Sequence, residues 1–188
     1  MQIIYLNGPS SVGKTTLAKS LQDVLERPFL HISFDKVIGW MPQKMNNWVG
    51  GYTCSGFSWK SLHDQDGITM QELRMGPFAS KMQHTFRDVV KNLAISGHCI
   101  IVDDFAFGQE NIGTWKEVLK DFPVLWIRLK APLEVLEKRE KERNGRILGS
   151  SRAQYFHLYH NMEFDIEFDT DAESLNTITK KIQKKIDY

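Results

Sequence analysis

Apolar positions along this chain switch repeatedly between an unbroken run and a helical spacing. Ile3-Ile4-Tyr5-Leu6 is a short run rich in β-branched and aromatic residues, which predicts a buried strand. Leu17, Leu21, Val24 and Leu25 then recur as one face of a helix. Arg27-Pro28 interrupts that face, and residues 29–34 read as a second strand with Asp35 at its carboxyl end. Gly76-Pro77 opens a long helix with Phe78, Met82, Phe86, Val89, Val90 and Leu93 as its stripe, ending before Gly97. A third strand, residues 98–102, is apolar throughout and ends in Asp103-Asp104. Helix, strand and helix follow over 109–121, 123–129 and from Pro132. A helix near 151–161, a strand over 164–170 and a last helix through Leu175, Ile178, Ile182 and Ile186 complete the chain. Five strands alternating with helices predict an α/β fold, a doubly wound five-stranded parallel sheet with flanking helices.

Only residues 36–75 lack a clean period. A short helix is expected to end near Met41-Pro42, and 56–70 could hold a small hairpin or irregular turns. The segment is rich in aromatics, among them Trp40, Trp48, Tyr52, Phe57 and Trp59. An insertion of this length is commonly a lid or an acceptor pocket, and its aromatics could equally pack on the sheet as a satellite cluster.

The chemistry begins between the first strand and helix. Gly8-Pro9-Ser10-Ser11-Val12-Gly13-Lys14-Thr15 fills the pattern G-x-x-x-x-G-K-[ST] completely. A loop that turns several N–H groups inward ahead of a helix N-terminus is built to cradle phosphates. Residues Gly8 through Thr16 are therefore candidate ATP contacts, with Lys14 reaching the β- and γ-phosphates and Thr15 offering its hydroxyl to Mg²⁺. Four apolar residues ending in acid have the form of a second phosphate-site strand, whose carboxylate holds Mg²⁺ directly or through water. Side chains alternate, so Asp103 and Asp104 cannot share that role. Asp103 is favoured for the metal and Asp104 for a cap or supporting position.

Asp35 stands where open α/β sheets bind ligands, yet Asp before a helix is also a common N-cap. Arg139, Arg143 and Arg146 recur at four and three in a charged stretch. They form either a solvated face, with Glu137 and Lys141 as an i,i+4 pair, or one side of a lid over the phosphates; the lid is favoured. His157 and His160 lack partners at metal spacing and read as surface or packing residues.

Composition adds boundaries. The 188 residues suit one domain; 25% are charged, 41% hydrophobic, and the net charge is +1. No basic excess points to nucleic acid or an anionic membrane, and no apolar run approaches a membrane span. Two cysteines make no disulfide framework, and a strand that starts beside residue 2 leaves no room for a cleaved signal. The expected location is the cytoplasm; oligomeric state stays open.

The start Leu-Asn-Gly-x-Ser-Ser-x-Gly-Lys resembles the chloramphenicol phosphotransferase family, as does Phe34-Asp35 followed by Met41-Pro42-x-x-Met45. Gly76-Pro77, Ile101-Val102-Asp103-Asp104, Val124-Leu125-Trp126, Arg-x-x-x-Arg-x-x-Arg and Phe164-Asp165-x-Glu167-x-Asp169-Thr170 are similar too. The resemblance covers nearly the whole chain. It implies one P-loop kinase domain over 1–188, with an acceptor-pocket insertion at 36–75 and an arginine-bearing lid at 139–153 after the fourth strand. It implies transfer of the γ-phosphoryl of Mg·ATP to a hydroxyl of a neutral small molecule, with Asp35 orienting that hydroxyl and taking its proton. Phe34, Asp35, Trp40 and Met41 would contact the acceptor. Arg139 would bind ATP, and Lys14, Arg143 and Arg146 would spread the developing charge. The chain runs longer than the family pattern over 52–75, the part expected to line the acceptor pocket. Between residues 28 and 86 it has one arginine, Arg74, which counts against the anionic acceptors of nucleotide- or shikimate-type kinases. A nucleotide-binding regulatory module is the non-enzymatic alternative, and it would not require Asp35.

Overall fold

The computed structural model describes residues 2–49, 55–105, 108–143, 147–158 and 163–186. A parallel sheet of five strands forms its centre. In chain order these are β1 (Ile3–Asn7), β2 (Phe29–Ser33), β5 (Cys99–Asp103), β6 (Val124–Lys130) and β7 (Ile166–Asp169), with a separate antiparallel hairpin, β3 (Phe57–His63) and β4 (Thr69–Met75), inserted between. The sheet order is β2-β5-β1-β6-β7. β1 is central and buried at every position, as the unbroken run Ile3-Ile4-Tyr5-Leu6 requires of a strand covered on both faces.

Helices α1 (Lys14–Val24), α2 (Phe34–Gly39), α3 (Pro77–Ile95), α4 (Gly108–Val118), α5 (Leu133–Lys141), α6 (Ser150–Leu158) and α7 (Leu175–Ile186) surround it. Two cores result, one on each face. Ile4, Leu6, Ile101 and Ile127 pack with Leu17 and Leu21 of α1 and Ile178 and Ile182 of α7. Ile3, Tyr5, Ile100 and Val102 pack with Phe86 and Val90 of α3 and Ile112 and Trp115 of α4. Alternation along β1 and β5 thus sends odd and even residues to different helices. Among the described residues no helix is long and apolar enough to cross a membrane.

The irregular segment is ordered by pairing. β3 and β4 run in register from Phe57↔Met75 to His63↔Thr69, longer than the 56–70 hairpin expected. Phe57 is fully buried and stacks beside Trp48, ring centroids 6.1 Å apart, and Trp48 lies 6.3 Å from Trp59. A Gly149 Cβ would meet the Thr69 carbonyl at 2.9 Å, and Gly149 also has φ +91°, so only glycine lets α6 begin this close to β4.

Candidate active site

The loop between β1 and α1 is shaped by residues that tolerate unusual backbone. Gly8 has φ +152°, and a Cβ there would lie 2.6 Å from the Leu129 carbonyl. Ser11 adopts φ 65°, rare for a residue with a side chain, and marks stored strain in the loop. Lys14 folds back along the loop, its Nζ donating to the carbonyls of Gly8 (2.8 Å) and Pro9 (3.1 Å). Gly8 and Pro9 supply the turn behind the cavity wall, while Ser10 through Thr16 line it.

Parallel register sets the acid beside the loop. Ser33 pairs with Asp103 and Leu6 with Asp103 on the other side, so the Asp103 carboxylate emerges on the face that α1 covers. The Thr15 hydroxyl donates to Asp103 Oδ2 at 2.7 Å. Burial alone would raise the Asp103 pKa, but the His31 hydrogen bond, the Lys14 charge and Thr15 hold it below the ordinary carboxylate value. Asp104 turns to the opposite face. It accepts from Trp115 Nε1 (2.6 Å), Tyr5 Oη (3.1 Å) and the Phe105 N–H (2.8 Å), and burial pushes its pKa up. Asp103, not Asp104, is therefore the carboxylate that reaches the phosphate loop.

Among the described residues no group of three or more His, Cys, Asp or Glu could hold a metal. Magnesium carried by a nucleotide needs only one or two protein oxygens beside phosphates and water, and Thr15 Oγ with the Asp103 carboxylate is a donor set that fits.

A cavity of about 1210 Å³ extends from the loop in two directions. Toward α5 its wall carries Arg139, Arg143 and Thr170. Arg139 donates to Thr170 Oγ1 and to the Thr170 carbonyl, both at 2.9 Å, which fixes its guanidinium against the turn after β7. Arg143 is exposed on the cavity rim, and Arg146 lies outside the described residues, as does His160. In the other direction the wall is Asp35, Ile38, Trp48, Trp59, Leu73 and Phe105. Asp35 occupies the first turn of α2, with Ser33 at the N-cap position, so it is not the cap of that helix.

Three expected acceptor contacts are placed elsewhere. Phe34 is buried 5.3 Å from the Phe105 ring and also touches Phe57 and Phe86, so it backs the wall instead of lining it. Met41 is buried in the same core, and Trp40 is 63% exposed and off the cavity. Phe34 precedes Asp35 on α2 and so points about 100° away from it, while Trp40 and Met41 lie beyond the end of that helix.

Sequence reasoning missed the groups that join the cavity's two ends. Glu140, read as part of a solvated charge run, is 2% exposed. It accepts from the Gly149 N–H (2.8 Å), Ser150 Oγ (2.6 Å) and the Ser151 N–H (2.8 Å), capping α6. Glu137 pairs with Arg152 Nε at 2.6 Å instead of acting as the partner of Lys141, and Arg152 also grips Asp64 at the hairpin tip. One turn on, Gln154 Oε1 accepts from the Ser10 N–H at 2.6 Å, and Ser151 Oγ donates to the Ser10 carbonyl. Helix α6 therefore holds the phosphate loop at one point and the hairpin at another. These partners stand nine or more residues apart in the chain, so no helical i,i+3 or i,i+4 pattern announces them. His31, also missed, sits beside Asp103.

The chain resembles a Mycobacterium tuberculosis protein named "Putative O-phosphotransferase Rv2636", with 25% identity over 97% of this chain and 81% of that one. Two solved structures share its fold. One is the Mycobacterium tuberculosis APS kinase, with TM-score 0.66, 13% identity and coverage of 100% of this chain and 98% of that one. The other is a gluconokinase from Sinorhizobium meliloti, with TM-score 0.60, 16% identity and coverage of 96% and 89%. At those identities they speak for the P-loop kinase fold alone. The family model described as chloramphenicol phosphotransferase-like protein matches residues 1–187, and the chain belongs to that family of phosphotransferases.

Proposed function

We propose that this protein is a Mg·ATP-dependent O-phosphotransferase whose acceptor is a neutral, partly aromatic alcohol, chloramphenicol or a molecule like it. One observation carries the reading: a single cavity joins a phosphate loop with Thr15 and Asp103 to a carboxylate, Asp35, set among Ile38, Trp48, Trp59, Leu73 and Phe105. Cations on the described wall, Lys14, Arg139 and Arg143, all belong to the loop or to α5 and its end. An acceptor end with aromatic walls and, among the described residues, no cation favours a neutral ligand over a phosphorylated or carboxylated one.

ATP supplies the transferable phosphoryl group, and Mg²⁺ screens its oxygens. The protein's task is then mostly positioning and charge stabilisation. Loop amides from Ser11 onward, Lys14 and Thr15 hold the phosphates, and Asp103 with Thr15 orients the cation. Arg143, on the α5 side, spreads charge on the group in transfer, and Arg146 is given the same role on the sequence pattern alone. Arg139 borders the space for the nucleoside. Asp35 accepts a hydrogen bond from the acceptor hydroxyl, aims its oxygen, and takes its proton as the new ester bond forms and the bond from the γ-phosphorus to the bridging oxygen breaks, that oxygen leaving with ADP. The segments 36–75 and 139–153 act as acceptor wall and lid.

The test is ADP release with and without a panel of neutral aromatic alcohols that includes chloramphenicol, followed by mass spectrometry for the phosphate ester. Acceptor-dependent turnover with an ester product is expected. Release of ADP that no alcohol stimulates, or stimulation confined to anionic acceptors, would overturn the assignment.

A further inference from the structure

His31 is a buried polar side chain on a face of the sheet that is otherwise mostly apolar. It pairs in register with Ile101, two residues before Asp103, and so shares the face of Asp103 and of α1. Its side chain is 5% exposed. Its Nε2 lies 3.3 Å from Asp103 Oδ2, the oxygen that also takes the Thr15 hydroxyl at 2.7 Å. An ionised carboxylate only accepts, so the imidazole donates through Nε2–H, a tautomer assigned from its partner.

The two donors differ in what they must do when a nucleotide arrives. Thr15 has to turn a hydroxyl lone pair toward the cation, and its hold on Asp103 then depends on the cation's position. His31 lies off the cavity wall, so its hydrogen bond is independent of the ligand. Both reach Oδ2, which fixes the plane of the carboxylate and leaves Oδ1 as the oxygen that neither donor takes. Partners of this kind around a metal-binding carboxylate set its orientation, and their loss commonly weakens metal binding about 10- to 100-fold.

We propose that His31 is a positioning residue that holds the Asp103 carboxylate ready for the divalent cation of the bound nucleotide. This rests on the phosphate-loop reading above and extends it to a residue that no motif contains. A His31 that merely fills space would affect nucleotide binding equally with and without cation.

Calorimetry with the non-hydrolysable β,γ-imido analogue of ATP separates the two, with Mg²⁺ in one series and excess EDTA in the other. His31→Leu is expected to bind the analogue in EDTA within about twofold of the parent, and to lose about tenfold or more of the tightening that Mg²⁺ gives the parent. His31→Gln, which restores an N–H at similar reach, should recover that tightening to within about threefold. His31→Met serves as a second apolar replacement should the leucine variant melt early. The role is overturned if the apolar variants keep the full effect of Mg²⁺, lose affinity equally in both series, or are not rescued by glutamine. A parent that binds no nucleotide in either series would instead sink the phosphate-loop reading itself, and this role with it.

Discussion

The cavity's phosphate-loop end and its proposed acceptor end are built by opposite strategies. The phosphate end is a single loop of eight residues whose backbone does most of the shaping, with Gly8 against Leu129 and Ser11 at positive φ. The acceptor end gathers side chains from α2, the segment before the hairpin, both hairpin strands and the turn after β5. Backbone recognition of phosphate tolerates little variation, because the N–H groups must converge on one ligand. A wall of dispersed side chains can change one residue at a time. That difference explains how one fold serves many acceptors while its loop stays recognisable, and it gives each end a separate way to fail.

Asp35→Asn should give the largest separation. It keeps size and removes basicity, so phosphoryl transfer is expected to fall by roughly two to four orders of magnitude. The affinity of the non-hydrolysable analogue should stay within about threefold, and melting should be near normal because Asp35 is exposed and is not the N-cap of α2. Activity that survives this change would remove the acceptor-side role.

Lys14→Ala attacks the other end. Its ammonium lies against the Gly8 and Pro9 carbonyls, outside the apolar core, so the fold should persist. Turnover should drop about 10²- to 10³-fold, as for loss of one preorganised charge-stabilising donor. Undiminished turnover would refute the loop as the phosphate site.

The same contrast governs what the sequence revealed. A parallel sheet follows from alternating strand and helix, and the loop is contiguous, so both were legible. Alternation alone said that Asp103 and Asp104 could not share one role, and the sheet places them on opposite faces as that rule requires. The acceptor wall was legible only as aromatic content, because Trp48, Trp59, Leu73 and Phe105 converge through tertiary packing. Phe34 and Met41, expected at the acceptor from the family resemblance, pack into the core. Glu137 and Glu140 looked like surface charge because their partners are brought in by chain reversal.

Asp104 tests that reading of the two acids on stability instead of rate. Asp104→Ala leaves Tyr5 Oη, Trp115 Nε1 and the Phe105 N–H without their acceptor, and Arg87 without a nearby countercharge. A loss of about 2–4 kcal/mol in urea unfolding at neutral pH is expected. Because burial raises the folded-state pKa of Asp104, its contribution falls as pH climbs from the ordinary carboxylate value through the raised one. The gap between parent and variant should therefore be widest at the acid end. A gap that widens toward neutral pH would contradict the assignment.

Trp59→Ala sharpens the acceptor side alone. Removing one aromatic wall should raise the acceptor KM about tenfold while leaving the KM for ATP within twofold, since loss of apolar pocket contact commonly costs about 1–3 kcal/mol. A shift in both constants would mean that the wall also shapes the nucleotide site.

The smallest expected effect tests whether the two ends communicate. Helix α6 touches both: Gln154 and Ser151 hold Ser10, Arg152 holds the hairpin through Asp64, and the Gly149 carbonyl accepts from the Gln71 N–H at 3.1 Å. An acceptor that settles against β3 and β4 therefore meets an element already attached to the phosphate loop. If that attachment is stiff, acceptor and nucleotide should tighten one another by the same factor, as linkage requires. Arg152→Ala cuts the strongest hairpin contact while leaving Gln154 and Ser151 in place. The expected result is a fall of about two- to tenfold in mutual tightening, measured as the affinity of the imido analogue with and without acceptor, and little change in either ligand's affinity alone. Equal loss of both separate affinities would show Arg152 to be a support for the site as a whole. Unaltered tightening would show that the two ends, though joined by one helix, bind their ligands independently.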